Sequence, residues 1–225
     1  MKLKERWVLI EKGIASLQYQ SRGEDITNSV IHGVGIALSI MALVLLLVFG
    51  VKNGDVWDVV SFSIFGATLI FLYLSSTLFH GVRNLKAQEF FRKCDYIGIF
   101  LLIAGTYTPI TLIYLRGPWG WSLFGAVWFI ALVGIGLRVL FSNKIELVLA
   151  VLYVLMGWII VVATKPALVL IPPGVLFWFL IGGASYMVGL IFLSWKKLPF
   201  HHALWHLFVL GGSTAHFLGM FLYIK

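Results

Sequence analysis

Apolar residues run along this chain in long blocks, broken only by short charged clusters. Seven stretches carry no Asp, Glu, Lys or Arg: 26–51, 59–82, 96–115, 117–137, 147–164, 166–195 and 198–224. Each is 18 residues or longer, and a helix needs roughly 20 to cross the hydrocarbon core of a bilayer. The pattern predicts an all-α membrane protein, a seven-transmembrane helical bundle. Its spans are 29–51, 57–80, 95–115, 119–139, 145–163, 174–195 and 201–223. Trp57, Trp119, Trp121, Trp178 and Trp195 fall near the predicted ends, as an interfacial aromatic belt requires. "IPPG" at 171–174 breaks the chain before the sixth helix. Pro109, inside the third, predicts a kink.

Charge then orients the bundle. The N-terminal segment, the 2–3, 4–5 and 6–7 connections hold thirteen Lys and Arg; the other side holds Lys52, Arg116, Lys165 and Lys225. The basic side is cytoplasmic, which puts the N-terminus inside and the C-terminus outside. The +8 net charge reflects this asymmetry. It points to anionic lipid head groups at the cytoplasmic face rather than to nucleic acid. Residues 1–25 read as a cytoplasmic or interfacial segment, with Leu3, Trp7, Ile10, Ile14 and Leu17 on one helical face. Residues 26–225 form the membrane domain. The single cysteine, Cys94, excludes an intramolecular disulfide and a Cys-rich zinc site.

Helix direction brings the unusual polar residues to one membrane level. "EDITNSVIH" places Glu24, Asn28 and His32 at the start of helix 1, and "SSTLFH" places Ser76 and His80 at the end of helix 2. "CDYIG" places Asp95 at the start of helix 3, and "HHALWH" places His201, His202 and His206 at the start of helix 7. All these ends are cytoplasmic. His202 and His206 are four apart and share a helix face, as do Ser76 and His80. Two such histidines and a third from another helix form a three-ligand set for one Zn2+, with a fourth position open. Ionisable groups inside a membrane are functional suspects by default. Asp95 is then the candidate base, and Ser76 the residue that fixes its carboxylate.

Blander readings fit the same residues. H-x3-H alone also describes interfacial histidines bonded to lipid phosphate or backbone, and it lacks the Glu of H-E-x-x-H. Asp95 also fits a solvated loop acid, Ser76 helix-packing glue, and Glu24 or Asp25 a helix cap. His201 faces away from His202. His216 lies ten residues beyond His206, about 15 Å deeper, which predicts a bond to a neighbouring helix instead.

Taken in order, "EDITNSVIHG", "SSTLFH", "DYIGIFLLIAGTYTP", "MGW" and "HHALWHLFVLGGSTAHF" resemble the haemolysin III family, the bacterial branch of the progestin and adipoQ receptor superfamily. The resemblance implies seven spans in the plasma membrane and a zinc site near the cytoplasmic side. On it, His80, His202 and His206 are ligands and Asp95 and Ser76 belong to the site. Glu24, Asn28 and His32 match a further motif of accessory role. The superfamily is similar to intramembrane metal-dependent hydrolases such as the alkaline ceramidases. The expected activity is hydrolysis of a lipid amide or ester. The alternatives are a zinc-stabilised receptor or sensor without turnover and a cytolytic pore, the latter weakened because no charged stripe lines a helix.

Overall fold

The structure is a computed structural model, and it describes residues 21–141 and 145–223. The amphipathic face proposed for Leu3 to Leu17 lies outside the described residues.

Seven helical rods form because each run has a chemical start and stop. Helix α1 (Arg22–Asn53) opens on a capping box: the Ser21 hydroxyl accepts from the Glu24 N–H, and the Glu24 carboxylate accepts from the Ser21 N–H. Helix α2 (Val56–Gly81) opens the same way on Asp55 and Asp58. Helix α3 (Leu85–Tyr114) is capped by Asn84, whose side-chain oxygen accepts from the Lys86 and Ala87 N–H groups. Helix α4 (Pro118–Phe141) starts on a proline, whose missing N–H costs nothing in a first turn. Helix α5 (Glu146–Leu170) is α-helical over Glu146–Trp158, a tighter 3-10 helix over Ile159–Ala163, and α-helical again over Thr164–Leu170. Helices α6 (Pro173–Ser194) and α7 (His201–Phe221) complete the bundle.

Three boundaries differ from the expected ones, for one reason. Charge-free runs measure the thickness of the hydrocarbon, not the length of a helix. Helix α1 begins seven residues before 29, and α3 begins ten before 95, because "LKAQEFFRK" is a good helix former behind an Asn cap. Asp95 is therefore not at a helix start but almost three turns in. Lys165, expected in an outer loop, lies in the last part of α5. Pro109 closes the regular α-helical part of α3. Beyond it the helix widens into a π turn, and Leu115 N–H reaches back five residues to the Ile110 carbonyl at 2.9 Å.

Helices α1 to α6 are long and apolar enough to cross a membrane, and the chain is an integral membrane protein. Helix α7 has 21 residues, enough to span about 32 Å. Its four histidines, Ser213 and Thr214 set it below the hydropathy of the other six.

Helices adjacent in sequence pack side by side from α1 through α4, α6 packs on α7, and α7 returns to α1. The centre belongs to α2 and α3: 56% and 67% of their most apolar stretches are buried, against 17% for α5 and for α6. Leu46, Phe62, Phe65, Leu69, Tyr73, Leu102, Val209 and Met220 join α1, α2, α3 and α7 in one core. A second core, including Phe100, Val127, Ala131, Leu149 and Met156, ties α3 to α4 and α5. Helix α3 comes this close to α2 because residue 98 is glycine. A Cβ there would lie 2.9 Å from a Leu72 methyl and 3.1 Å from the Leu72 Cα. The outer histidine behaves as its depth predicts: the His216 Nε2 donates to the Phe179 carbonyl of α6 at 3.3 Å.

Candidate metal centre

The beginnings of α1 and α7, the end of α2 and the first half of α3 meet at one end of the bundle. One hydrogen bond there ties the start of α7 to the start of α1. The Glu24 carboxylate, already used in the α1 capping box, also accepts from the Phe200 N–H at 2.9 Å. Phe200 stands immediately before α7 in the left-handed region, φ 56°, a conformation that costs a non-glycine residue energy and persists only when its surroundings hold it. Glu24 thus ties the residue just before α7 to the first turn of α1.

His80, His202 and His206 converge. One ring nitrogen from each lies within 4.8 Å of the others. Ring centroids are 5.1 Å apart for His80 and His202, 5.2 Å for His80 and His206, and 4.5 Å for His202 and His206. Tetrahedral zinc–nitrogen bonds set about 3.4 Å between ligand atoms. The rings need to close by at most about 1.4 Å, within reach of side-chain rotation. His201, by contrast, stands 6.3 Å from His202 and outside the trio.

Two of the three histidines have one ring nitrogen against a neighbouring side chain. The His80 Nδ1 lies 3.0 Å from an Asp25 carboxylate oxygen. A carboxylate only accepts, so that nitrogen carries the proton and the Nε2 keeps its lone pair. The His206 Nδ1 lies against the His32 ring, 2.5 Å from its Nε2 and 2.9 Å from its Nδ1, the two rings meeting edge to face with centroids 3.7 Å apart. The His80 Nε2 and the His206 Nε2 are both buried and make no hydrogen bond. Buried polar atoms are nearly always paired. Two adjacent imidazole nitrogens left over, with a third beside them, fit a metal ion by number, type and direction.

Asp95 is half-buried and faces His80, the buried Ser76 hydroxyl and the Arg138 guanidinium closely enough for each to act on its charge. Ser76 makes no well-formed hydrogen bond, so its contact with Asp95 is near rather than tight. Asn28 is fully buried one turn before His32. The structure thus brings all the candidates together: His80, His202 and His206 at the centre, His32 behind His206, Asp95 and Ser76 beside His80, and Glu24 at the rim.

Two residues escape a reading of the sequence. Asp25, beside the more suggestive Glu24, grips His80; nothing in a single sequence pairs positions 55 apart. Arg138 counts there as a loop charge, yet it is 1% exposed, with its guanidinium 3.9 Å above the Tyr96 ring. The signal available was the cost of an arginine three residues inside an apolar helix end.

The opposite end of the bundle is simpler. Asp55 and Arg116 form an exposed ion pair at 2.7 Å. The Arg116 hydrogen bond holds the Asp55 carboxyl below its ordinary range.

With the geometry in place, comparison with known proteins is decisive. The profile described as "Haemolysin-III related" matches residues 20–217. The chain belongs to the haemolysin-III-related family. This family member is 44% identical over 200 residues to a "Hemolysin-3 homolog" of Bacillus subtilis, spanning 89% of this chain and 94% of that one. It is 43% identical over 201 residues to "Hemolysin-3" of Bacillus cereus, with 89% and 92% covered. The haemolysin-III-related chain is also 29% identical over 181 residues to the human "Monocyte to macrophage differentiation factor", 76% of this chain and 74% of that one. All the clustered polar residues, Glu24 to His206, fall inside the matched region.

Proposed function

We propose that this protein is a zinc-dependent hydrolase of a lipid amide or ester in the bacterial plasma membrane, with seven spans, the N-terminus in the cytoplasm and the metal near the cytoplasmic face. The observation that carries the reading is the pair of buried, unpartnered Nε2 atoms on His80 and His206, closed into a trio by His202. Zinc bound there would supply a Lewis acid and a water acidified to a pKa of about 7.

The chain's own residues then divide the work. His80, His202 and His206 hold the ion, and Asp25 and His32 fix the rings of two of them. Asp95 accepts the proton of the attacking water and returns it to the leaving group. Ser76 keeps the Asp95 carboxyl turned toward the site, and Arg138 balances its charge from the α4 side.

Metal analysis of the purified chain tests the first half, with one zinc per chain expected and almost none in His202→Ala or His206→Ala. Asp95→Ala tests the second: metal retained, turnover of a panel of ceramides, acyl-glycerols and phospholipids lost. A metal-free wild-type protein refutes the site. An Asp95→Ala protein as active as the wild type refutes the hydrolase and leaves a zinc-stapled receptor. The names of the Bacillus relatives suggest cytolysis. Against a pore here stands the confinement of the clustered polar groups to one end of the bundle.

A further inference from the structure

A cavity of about 690 Å3 opens beside the histidine trio, within the size range of small-molecule sites. Its lining changes character from one wall to the next. Arg22 and Arg83 stand at the mouth, on the first turn of α1 and on the connection between α2 and α3. Neither guanidinium is paired with a carboxylate among the described residues. Ile26 and Val30 form the α1 wall, one helical turn apart and 54% and 59% exposed, so they face outward into lipid. His80 lies at the inner wall with Asp25, whose carboxylate is taken up by the His80 Nδ1. His80 belongs both to this lining and to the histidine trio, and so joins the cavity to the candidate centre.

Two cations at the mouth, an apolar wall open to the bilayer, and a metal-ligating histidine at the back describe a ligand with three parts in that order. We infer that the cavity is a lateral access groove for a phospholipid, with the phosphate of its head group on Arg22 and Arg83, its acyl chains along Ile26 and Val30, and its first ester linkage toward His80. Arginine is the side chain best suited to a phosphate, which it binds through two parallel N–H donors. A neutral ceramide offers the guanidiniums only uncharged acceptors, which bind about half as strongly as a phosphate. The one acid in the groove, Asp25, is already bonded and does not cancel the pair. The inference rests on the hydrolase reading and narrows its substrate to lipids with an anionic phosphate.

The test uses the full chain in detergent with phosphatidylglycerol, phosphatidylcholine or ceramide added, and native mass spectrometry of the lipids retained. Wild type is expected to retain one phosphatidylglycerol in preference to ceramide. The doubly substituted Arg22→Gln, Arg83→Gln protein is expected to lose that preference by about tenfold to thirtyfold, at about 1 kcal/mol per basic residue. Lys196→Gln with Lys197→Gln, on the 6–7 connection and outside the groove, should leave it unchanged. Zinc content is measured on the same samples. A zinc-loaded wild type that holds ceramide as well as phosphatidylglycerol overturns the groove and spares the metal site. Displacement of the lipid by inorganic phosphate alone overturns the assignment to a lipid. Loss of zinc in the arginine variant would mean the arginines support the fold, and would likewise overturn it.

Discussion

Replacing Asp25 separates a designed site from a coincidence of histidines. Among the described residues its carboxylate bonds the outer nitrogen of His80, 3.0 Å away, and it takes no position in the trio. Outer-shell partners of metal-binding histidines are worth about 10- to 100-fold in affinity. The Asp25 side chain is 28% exposed, while that of His80 is 1% exposed. Solvent on the carboxylate side screens part of the interaction, so the lower part of the range applies. Asp25→Ala should weaken zinc binding by about 10- to 30-fold, or about 1.4–2 kcal/mol. Asp25→Asn keeps an accepting oxygen and loses the charge. Charge-assisted hydrogen bonds are about twice as strong as neutral ones, so this variant should lose about three- to fivefold. Competition against a chromogenic chelator, with the chain in detergent at fixed pH, reads both values. If Asp25→Ala binds zinc within threefold of wild type, the contact with His80 is incidental and the orienting argument fails.

Glu24→Ala removes the acceptor of the Phe200 N–H and should weaken zinc binding by about fivefold, since the bond is exposed and worth about 1 kcal/mol; unchanged affinity in the same titration would refute a role in placing α7. Gly120 and Gly125 both lie in α4, but a Cβ at 120 would press into the Thr111 and Leu115 carbonyls, whereas a Cβ at 125 meets nothing within 4 Å. Gly120→Ala should lose about 1–3 kcal/mol and Gly125→Ala should gain about 0.5–1 kcal/mol, as thermal denaturation followed by size-exclusion chromatography would show. The Asp55–Arg116 pair gives a pH signature. A carboxyl held below its ordinary value in the folded chain adds stability that is fully present above about pH 4 and lost as the pH falls through the lowered value. Because both side chains are nearly half exposed, Arg116→Gln should lower stability by no more than about 1 kcal/mol at pH 7. That deficit should shrink toward zero in strong acid.

The residues that could be placed from sequence were those whose relations lie within one helix. Helical phase alone separates His202 and His206 from His201, and rise per residue alone removes His216, which bonds Phe179 instead. Convergence of three helix ends and the first half of α3 followed from span counting and the alternation of direction, although Asp95 lies well inside its helix. What escaped was lateral. Asp25 meets His80, and Arg138 meets Tyr96, through rotations of whole helices about their axes. An apolar run constrains that rotation weakly, because lipid tolerates the same residues as the core. The early start of α3 was visible in principle in Asn84, a helix cap hidden behind the convention that charges mark loops.

Glu24 meets Phe200, and His32 meets His206, across 176 and 174 residues of chain. A ribosome that has delivered the first six helices has therefore made His80 and both orienting partners, but not the two histidines that close the trio. If the trio holds an ion, its three ligands would not be in place until α7 packs beside α1. On the zinc reading, metal retention would be a stamp that α7 has docked on α1, and a chain stalled before residue 202 would be passed over by zinc.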